Sequence, residues 1–203
     1  GSEMCIRDRW IGKKYYGIDI REHGSRNAGT TNMLRVLGRR AALPVFALDV
    51  LKGFVAVALL GLLKYDDNIS DIWLINLKII AVFAAVLGHI FPVFAHFKGG
   101  KGVLVAGGTI LAIQPVLIPF LAVIFLACLL PTGMVSLGSV TMAAAYPLLT
   151  LGYCLLRGYA VQDLLICLVG SVIMAAMVIY MHRSNIQRIR DGKEYRFGRH
   201  GKQ

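Results

Sequence analysis

The sequence predicts an all-α fold, a polytopic bundle of six membrane helices with its functional loops on the cytoplasmic face. Hydrophobic residues make up 57% of the 203 residues and charged residues 16%, against roughly 25% charged residues in a soluble domain. No Asp, Glu, Lys, Arg or His occurs between Gly102 and Leu156. Because a membrane span needs about 20 mostly apolar residues, this stretch has room for more than two spans. The high apolar content excludes a disordered basic tail and argues against a nucleic-acid-binding domain.

Five hydrophobic blocks follow a basic opening and are the candidate spans. An acidic turn at 64–68 separates the first two blocks, and a basic, glycine-rich segment at 97–102 precedes the third. Residues 131–133 (Pro-Thr-Gly) are typical of a turn between the third and the fourth. The five blocks are residues 41–63, 72–94, 103–130, 134–155 and 160–181.

The net charge of +11 predicts the orientation, because basic segments stay in the cytoplasm. Both basic termini and the loop around Lys98 and Lys101 are expected there, and the acidic turn at 64–68 is expected outside. Five spans would leave the basic C-terminal tail on the wrong side of the membrane. The parity of the spans therefore predicts one further pass.

The block 103–130 can supply that pass if it breaks at Gln114-Pro115, since proline interrupts a helix and restricts the residue before it. Each half is too short for a full perpendicular span, so we expect a pair of short, tilted or partly re-entrant helices. This gives six helices with both chain ends in the cytoplasm and every basic cluster at one face.

The first basic cluster covers residues 24–35, with Arg39 and Arg40 after it. Small residues and amides lead into a helix predicted to begin near Thr30. A helix start with free backbone N–H groups, flanked by Ser, Asn and Arg side chains, suits a phosphate group. An N-capping turn with solvated arginines fits the same residues.

The second cluster covers residues 89–102, and its last five residues, 98–102, hold three glycines and two lysines. Such a loop can bend tightly around an oxyanion. It is not a nucleotide-binding Walker A loop, because Lys101 is followed by Gly102 and Val103 and no hydroxyl is present to hold magnesium. A plain connector on the cytoplasmic side is the alternative.

The third cluster covers residues 182–194, after the last span. His182 and Asn185 are three residues apart and are expected to face the same side of a continuing helix. A histidine at the membrane boundary can accept a proton or donate to an anion. A basic tail that acts as a topology signal or contacts lipid headgroups is the alternative.

Asp49 and Lys52 stand one helical turn apart within the first span. Ionisable groups at membrane depth are costly and usually pair or line a polar cavity, so we expect a structural pair, with support of the cytoplasmic site as the alternative. No cysteine or histidine spacing predicts a metal site.

Three segments resemble, in order, the three motifs of the bacterial acyl-phosphate:glycerol-3-phosphate acyltransferases, the PlsY family. The segments are residues 17–38 (GIDIREHGSRNAGTTNMLRVLG), 88–103 (GHIFPVFAHFKGGKGV) and 182–194 (HRSNIQRIRDGKE). The sequence DVLKG at 49–53 is also similar to the family's text, and the resemblance runs from residue 11 to residue 194.

The resemblance implies an integral protein of the bacterial inner membrane that uses no cofactor. It implies transfer of a fatty acyl group from acyl phosphate to the 1-hydroxyl of sn-glycerol 3-phosphate, giving lysophosphatidic acid and phosphate in phospholipid biosynthesis. The expected partners are these two substrates and membrane lipids, and the expected state is a monomer.

The resemblance also implies roles for individual residues. The reactive site would consist of Ser25, Arg35, Lys101, His182 and Asn185. Substrate or phosphate binding would involve Asn27, Thr31, Asn32, Arg39, Lys98, Gly99, Gly100, Gly102 and Arg183. Asp49, Lys52 and Glu194 would be structural.

The chain departs from the family pattern in two places. Arg26 stands where a glycine is usual, and Ala28 stands where a proline is common. The family also has seven helices, whereas here residues 10–13 look like the end of a first helix that is missing. We therefore expect residues 1–9 to be a truncated or non-native segment and residues 10–203 to form one membrane domain.

Two features of the reaction stay open at this point. Ser25 is expected to act as a donor during direct acyl transfer, because no Asp–His pair is evident to activate it as a nucleophile. The proton of the glycerol hydroxyl could go to His182 or to a substrate phosphate oxygen. A membrane transporter for organic phosphate would use similar cationic loops and is the alternative function, although transporters usually bind substrate near the bilayer midplane.

Overall fold

The computed structural model describes residues 17–25, 27, 29–65, 71–93, 97 and 99–197, and this part of the chain is helical with no strand. A short 3₁₀ helix spans Ile20–Glu22, and a second, Leu59–Tyr65, extends the second α-helix. The α-helices are α1 (Thr30–Leu37), α2 (Arg39–Ala58), α3 (Asp71–Ile90), α4 (Val103–Ile113), α5 (Leu117–Thr132), α6 (Val135–Leu156), α7 (Val161–Met181) and α8 (Arg183–Arg190).

Four segments of this part are long and apolar enough to cross a membrane, and α4 and α5 are shorter apolar helices. At most 22% of each apolar window is buried inside the protein, so most of the apolar surface faces outward, as a lipid environment allows. Each of the five predicted apolar blocks contains most or all of at least one of these helices, and the block 103–130 contains α4 and most of α5. Two shorter amphipathic helices, α1 and α8, bring the described α-helices to eight. The four long segments are Arg39–Leu63, Ile72–Ile90, Val135–Leu156 and Val161–Met181.

The predicted break in the longest apolar block is confirmed. Helix α4 ends at Ile113 and α5 begins at Leu117, with Gln114 and Pro115 between them. Pro119 falls in the first turn of α5, where a missing backbone N–H costs no intrahelical hydrogen bond. The first proline therefore ends a helix and the second is accommodated within one.

Two predicted boundaries were wrong. Helix α3 ends at Ile90, short of residue 94, because Phe91 precedes Pro92 and a residue before proline avoids the helical conformation. The turn predicted at 131–133 is shorter than expected, since α5 continues to Thr132. Gly133 alone takes the left-handed conformation, with φ 69°, and donates its N–H to the Leu129 carbonyl at 2.7 Å.

The described structure divides into two compact units, one up to Ile113 and one from Gln114. In the first unit α2 packs closely on α4 at two glycines. A Cβ at Gly53 would overlap the carbonyl oxygen of Val105, and a Cβ at Gly108 would overlap that of Val50. Small residues at helix contacts let backbones approach closely in membrane proteins.

In the second unit α5, α6, α7 and α8 form one helical group, and the C-terminal tail returns to it. Gly138 on α6 lies against Phe125 on α5. The backbone N–H of Phe197 donates to the carbonyl of Gly133 at 2.7 Å. The tail and the α5–α6 turn therefore lie at the same end of this unit.

The expectations for residues 1–9 and for a helix end at 10–13 lie outside the described residues, as do Arg26, Ala28 and Lys98.

Candidate active site

The loop before α1 is held by the buried amide of Asn32, which is 2% exposed. Its Oδ1 accepts the Ser25 backbone N–H at 2.9 Å, and its Nδ2 donates to the carbonyls of Ile20 at 3.0 Å and His23 at 3.1 Å. A Cβ at Gly24, which has φ 59°, would lie on this same amide. Asn32 thus fixes the backbone that carries Ser25, whereas the family resemblance implied a direct substrate contact.

The same loop rests on the beginning of α2. Ile20 and Met33 are fully buried and pack with Ala41 and Val45 of α2. This apolar contact sets where α1 begins relative to α2. The apolar residues of the motif therefore anchor the loop that carries its polar residues.

The N-terminus of α1 is suited to an anion. Its first turn contains no acidic residue, and no side chain caps its first backbone N–H groups. The Thr30 hydroxyl is buried and makes no hydrogen bond within the described residues. Backbone N–H groups and the positive end of the helix dipole favour a negative group there.

The other residues predicted in the first cluster surround this helix. Ser25, Asn27 and Thr31 are half-buried, and Arg35 is half-buried in the last turn of α1. Arg39 is exposed at the first position of α2, whose first turn is also free of acidic residues. A cationic side chain such as Arg39 is unfavourable at the positive N-terminal end of a helix, and a bound anion offsets that repulsion.

The second loop folds back on the end of α3. The Gly99 N–H donates to the carbonyl of Ile90 at 3.1 Å, and a Cβ at Gly99 would overlap the carbonyl of His89. Gly102 has φ 78° and lies against the side chains of Val86 and Ile90. Both glycines are therefore required by geometry. Gly100 is buried, and Lys101 is half-buried two residues before α4.

Asp49 and Lys52 form the predicted pair, with Lys52 Nζ 2.7 Å from Asp49 Oδ1. A third partner was not predicted. Lys52 Nζ also lies 2.6 Å from His89 Nδ1. No sequence signal could have paired residues 37 positions apart on different helices.

The third cluster does not continue the last span, because the helix breaks at His182, where α7 ends and α8 begins. The buried His182 imidazole, 2% exposed, donates from Nδ1 to the Val178 carbonyl at 2.8 Å. A carbonyl can only accept, so the proton lies on Nδ1 and Nε2 is the acceptor in the neutral ring. His182 and Asn185 are both buried, although the helix breaks at His182.

The Asn185 amide is hydrogen-bonded to Glu194, the residue that was predicted to be structural. Its Nδ2 donates to Glu194 Oε1 at 2.7 Å, and the Ser136 hydroxyl donates to the same oxygen at 2.7 Å. Arg188 Nε donates to Glu194 Oε2 at 2.8 Å. Burial raises the pKa of Glu194, but these hydrogen bonds and the Arg188 charge outweigh it and hold the pKa below its usual value.

The sequence analysis missed Ser136, because a serine in an apolar helix carries no signal of a tertiary partner.

Arg183 is exposed and stacks over the Tyr180 ring at 4.6 Å. Among the described residues, no group of three or more His, Cys, Asp or Glu side chains could hold a metal ion.

The sequence model of the family described as glycerol-3-phosphate acyltransferase matches residues 8–192. This range includes the first two clusters and all of the third except Lys193 and Glu194. The chain belongs to the glycerol-3-phosphate acyltransferase family.

Curated relatives of the family carry the same description. A glycerol-3-phosphate acyltransferase of Streptococcus equi subsp. zooepidemicus (strain MGCS10565) is 40% identical over 189 residues, which cover 91% of this chain and 82% of the relative. A glycerol-3-phosphate acyltransferase of Thermoanaerobacter sp. (strain X514) is 40% identical, covering 96% of this chain and 90% of the relative.

Two solved structures of the family are similar to this chain. Both are of PlsY, an integral membrane glycerol 3-phosphate acyltransferase, one in its glycerol 3-phosphate form and one in its lysophosphatidic acid form. The first has a TM-score of 0.76 and 36% identity, covering 96% of this chain and 92% of that one. The second has a TM-score of 0.71 and 35% identity. The resemblance seen in the sequence motifs is confirmed.

Proposed function

We propose that this chain transfers a fatty acyl group from acyl phosphate to the 1-hydroxyl of sn-glycerol 3-phosphate. The products are lysophosphatidic acid and phosphate. The observation that carries the proposal is the family match over residues 8–192, which includes all the described apolar helices and the basic clusters up to Gly192. The relatives that share this match are described as glycerol-3-phosphate acyltransferases.

The reaction requires two anionic substrates to approach each other, and cationic groups lower that repulsion. The N-terminus of α1 with its buried Thr30 hydroxyl, together with Arg35 in the last turn of the same helix, supports a phosphate-binding role for the first cluster. The second loop, which bends at Gly99 and Gly102 and carries Lys101, supports a second such role. Holding an alcohol beside an activated carbonyl can lower the barrier by about 7–11 kcal/mol.

In the proposed step the glycerol 1-oxygen forms a bond to the acyl carbon, and the bond from that carbon to the phosphate oxygen breaks. Phosphate leaves with the electron pair. Ser25 acts as a hydrogen-bond donor, and its backbone is set by Asn32. The hydroxyl proton passes to His182 Nε2 or to a phosphate oxygen. The Nδ1–H bond to Val178 supports His182, because it leaves Nε2 basic.

Asn185 belongs to the proposed reactive site, and its hydrogen bond to Glu194 sets the orientation of its amide. Asn27, Thr31, Arg39, Lys98, Gly100 and Arg183 contribute to binding of the phosphate groups. Asn32 contributes through the loop that it holds.

We further propose that the chain lies in the bacterial inner membrane as a monomer among membrane lipids, with its C-terminus in the cytoplasm. The basic tail supports this orientation by the positive-inside rule. The short helices α4 and α5, of 11 and 16 residues, would form a tilted or partly re-entrant pair.

The test uses the purified full chain in detergent or lipid, with palmitoyl phosphate and glycerol 3-phosphate and with a metal chelator present. We expect lysophosphatidic acid and phosphate in equal amounts. Arg35→Ala and Asn185→Ala should lower kcat/KM by about 100-fold or more, the loss seen when a preorganised polar group is removed. Arg157→Ala, which changes an exposed arginine in the α6–α7 loop, is the matched control and should leave turnover unchanged.

Equal turnover of Arg35→Ala and the unchanged chain would contradict the site assignment. Uptake of glycerol 3-phosphate into proteoliposomes without acylation would contradict the enzyme and favour a transporter.

A further inference from the structure

Three ionisable side chains meet between α2 and α3 in the first unit. Lys52 Nζ lies 2.7 Å from Asp49 Oδ1 and 2.6 Å from His89 Nδ1, and His89 Nδ1 lies 3.7 Å from Asp49 Oδ1. The three side chains are only 11–12% exposed. We call these residues the Asp49–Lys52–His89 cluster.

The three side chains satisfy one another, which suits their place within apolar helices. Lys52 Nζ donates to the Asp49 carboxylate and lies within hydrogen-bond distance of His89 Nδ1. Such partners lower the cost of placing ionisable groups at membrane depth. The cluster is therefore a stable connection between the two helices.

His89 stands at the end of α3, where the second loop is attached. The carbonyl of the next residue, Ile90, accepts the Gly99 N–H at 3.1 Å, and the His89 carbonyl occupies the space that a Gly99 side chain would need. A shift of the last turn of α3 would therefore move the loop that carries Lys101.

The residue after Lys52 makes the corresponding connection to the other end of the loop. Gly53 lies against the Val105 carbonyl in the first turn of α4. Adjacent residues of α2 thus contact the helix that enters the loop, through Lys52 and His89, and the helix that leaves it, through Gly53 and Val105.

We propose that the Asp49–Lys52–His89 cluster positions the Lys101 loop for glycerol 3-phosphate, with Lys52 and His89 as positioning residues that do not touch the substrate. The inference rests on the proposed function, in which this loop receives a phosphate. His89 and the DVLKG sequence at 49–53 would then contribute to the affinity for glycerol 3-phosphate, in addition to pairing charges.

The experiment compares four single-site variants by their KM for glycerol 3-phosphate, their kcat and their thermal stability in detergent. Lys52→Met removes the central charge, and His89→Leu removes the α3 partner while leaving the Asp49–Lys52 pair in place. Lys52→Arg keeps the charge. Lys78→Met makes the same change on α3 at a half-buried lysine nearly three turns before the cluster and is the matched control.

We expect Lys52→Met and His89→Leu to raise the KM for glycerol 3-phosphate by roughly 10- to 100-fold, because small displacements of a binding group have losses of this order. Lys52→Arg should restore most of the affinity. Trypsin should cut after Lys101 faster in the two disruptive variants than in Lys78→Met. If Lys52→Met does not fold, His89→Leu carries the same test.

An unchanged KM in folded His89→Leu, or an equal increase in Lys78→Met, would overturn the inference. So would a loss of thermal stability without any change in KM, because that is the result of a purely structural cluster. Failure of the unchanged chain to acylate glycerol 3-phosphate would instead contradict the proposed function.

Discussion

Glu194 shows at the scale of one residue how a buried charge is stabilised in this protein. The carboxylate is 8% exposed and accepts hydrogen bonds from Asn185, Ser136 and Arg188. Ser136 is the second residue of α6, so the negative charge also lies at the N-terminus of a helix, where the dipole favours it. Because Asn185 is one of the donors, the same interactions orient a residue proposed for the reaction.

We expect Glu194→Gln to lower the stability by about 2 kcal/mol, since hydrogen bonds to charged groups are worth about 1.5–3 kcal/mol. The pKa of Glu194 is lowered on folding from its ordinary value of 4.5. The stabilisation is therefore present above that pH and is lost as the pH falls from it towards the folded pKa. Thermal unfolding between pH 7 and pH 4 should show the difference between the two proteins shrinking below pH 4.5.

Glu22→Gln, which changes an exposed glutamate, should show no such dependence. A difference between Glu194→Gln and the unchanged protein that stayed constant with pH would contradict the stabilisation of the ionised carboxylate.

The contact between α2 and α4 decides the geometry of the first unit at the scale of helices. Gly53 on α2 and Gly108 on α4 each face a backbone carbonyl of the other helix. A side chain at either position would push the helices apart. In membrane proteins, where lipid provides no hydrophobic force between helices, close packing of this kind supplies the attraction.

We expect Gly108→Ala to destabilise the protein by about 1–3 kcal/mol, the usual cost of an extra group in a tight contact. Gly107→Ala is the matched control, because a Cβ there meets nothing within 4 Å. Alanine is also favoured over glycine in a helix, so Gly107→Ala should be neutral or stabilising. Thermal unfolding in detergent measures both, and equal effects of the two changes would contradict the close contact.

At the scale of the whole molecule, the proposed orientation in the membrane rests on the charge of the tail and on the second unit. The tail bonds to the α5–α6 turn through Phe197 and Gly133. Helix α7 has 21 residues, about 31 Å at about 1.5 Å per residue. The two ends of α7 are therefore about one membrane thickness apart.

We expect cysteines placed at the two ends of α7 to be labelled from opposite sides. In a chain whose own cysteines are replaced by alanine, Lys193→Cys should react with an impermeant maleimide only in inside-out vesicles. Ala160→Cys should react from outside in intact cells, because basic segments stay in the cytoplasm. The cysteine-free chain is the control, and labelling of both positions from one side would contradict the orientation.

The sequence predicted the six apolar helices, the break at Gln114-Pro115 and the helix that begins at Thr30, because apolar length and proline act locally. It could not predict that His89 joins Lys52 or that Ser136 joins Glu194, because these partners lie 37 and 58 positions apart. The end of α3 at Ile90 was misplaced because hydrophobicity continues past the residue where Pro92 stops the helix.

The sequence by itself determined the class of protein, the family and the identity of the residues proposed for the reaction, since these depend on composition and on motifs contiguous in the chain. The tertiary structure alone decided which of them are held by others. Asn32 bonds to the backbone of its own loop, Asn185 to Glu194 and Lys52 to His89. The physical reason is that a buried polar group must find a partner, and that partner is set by the packing of the helices.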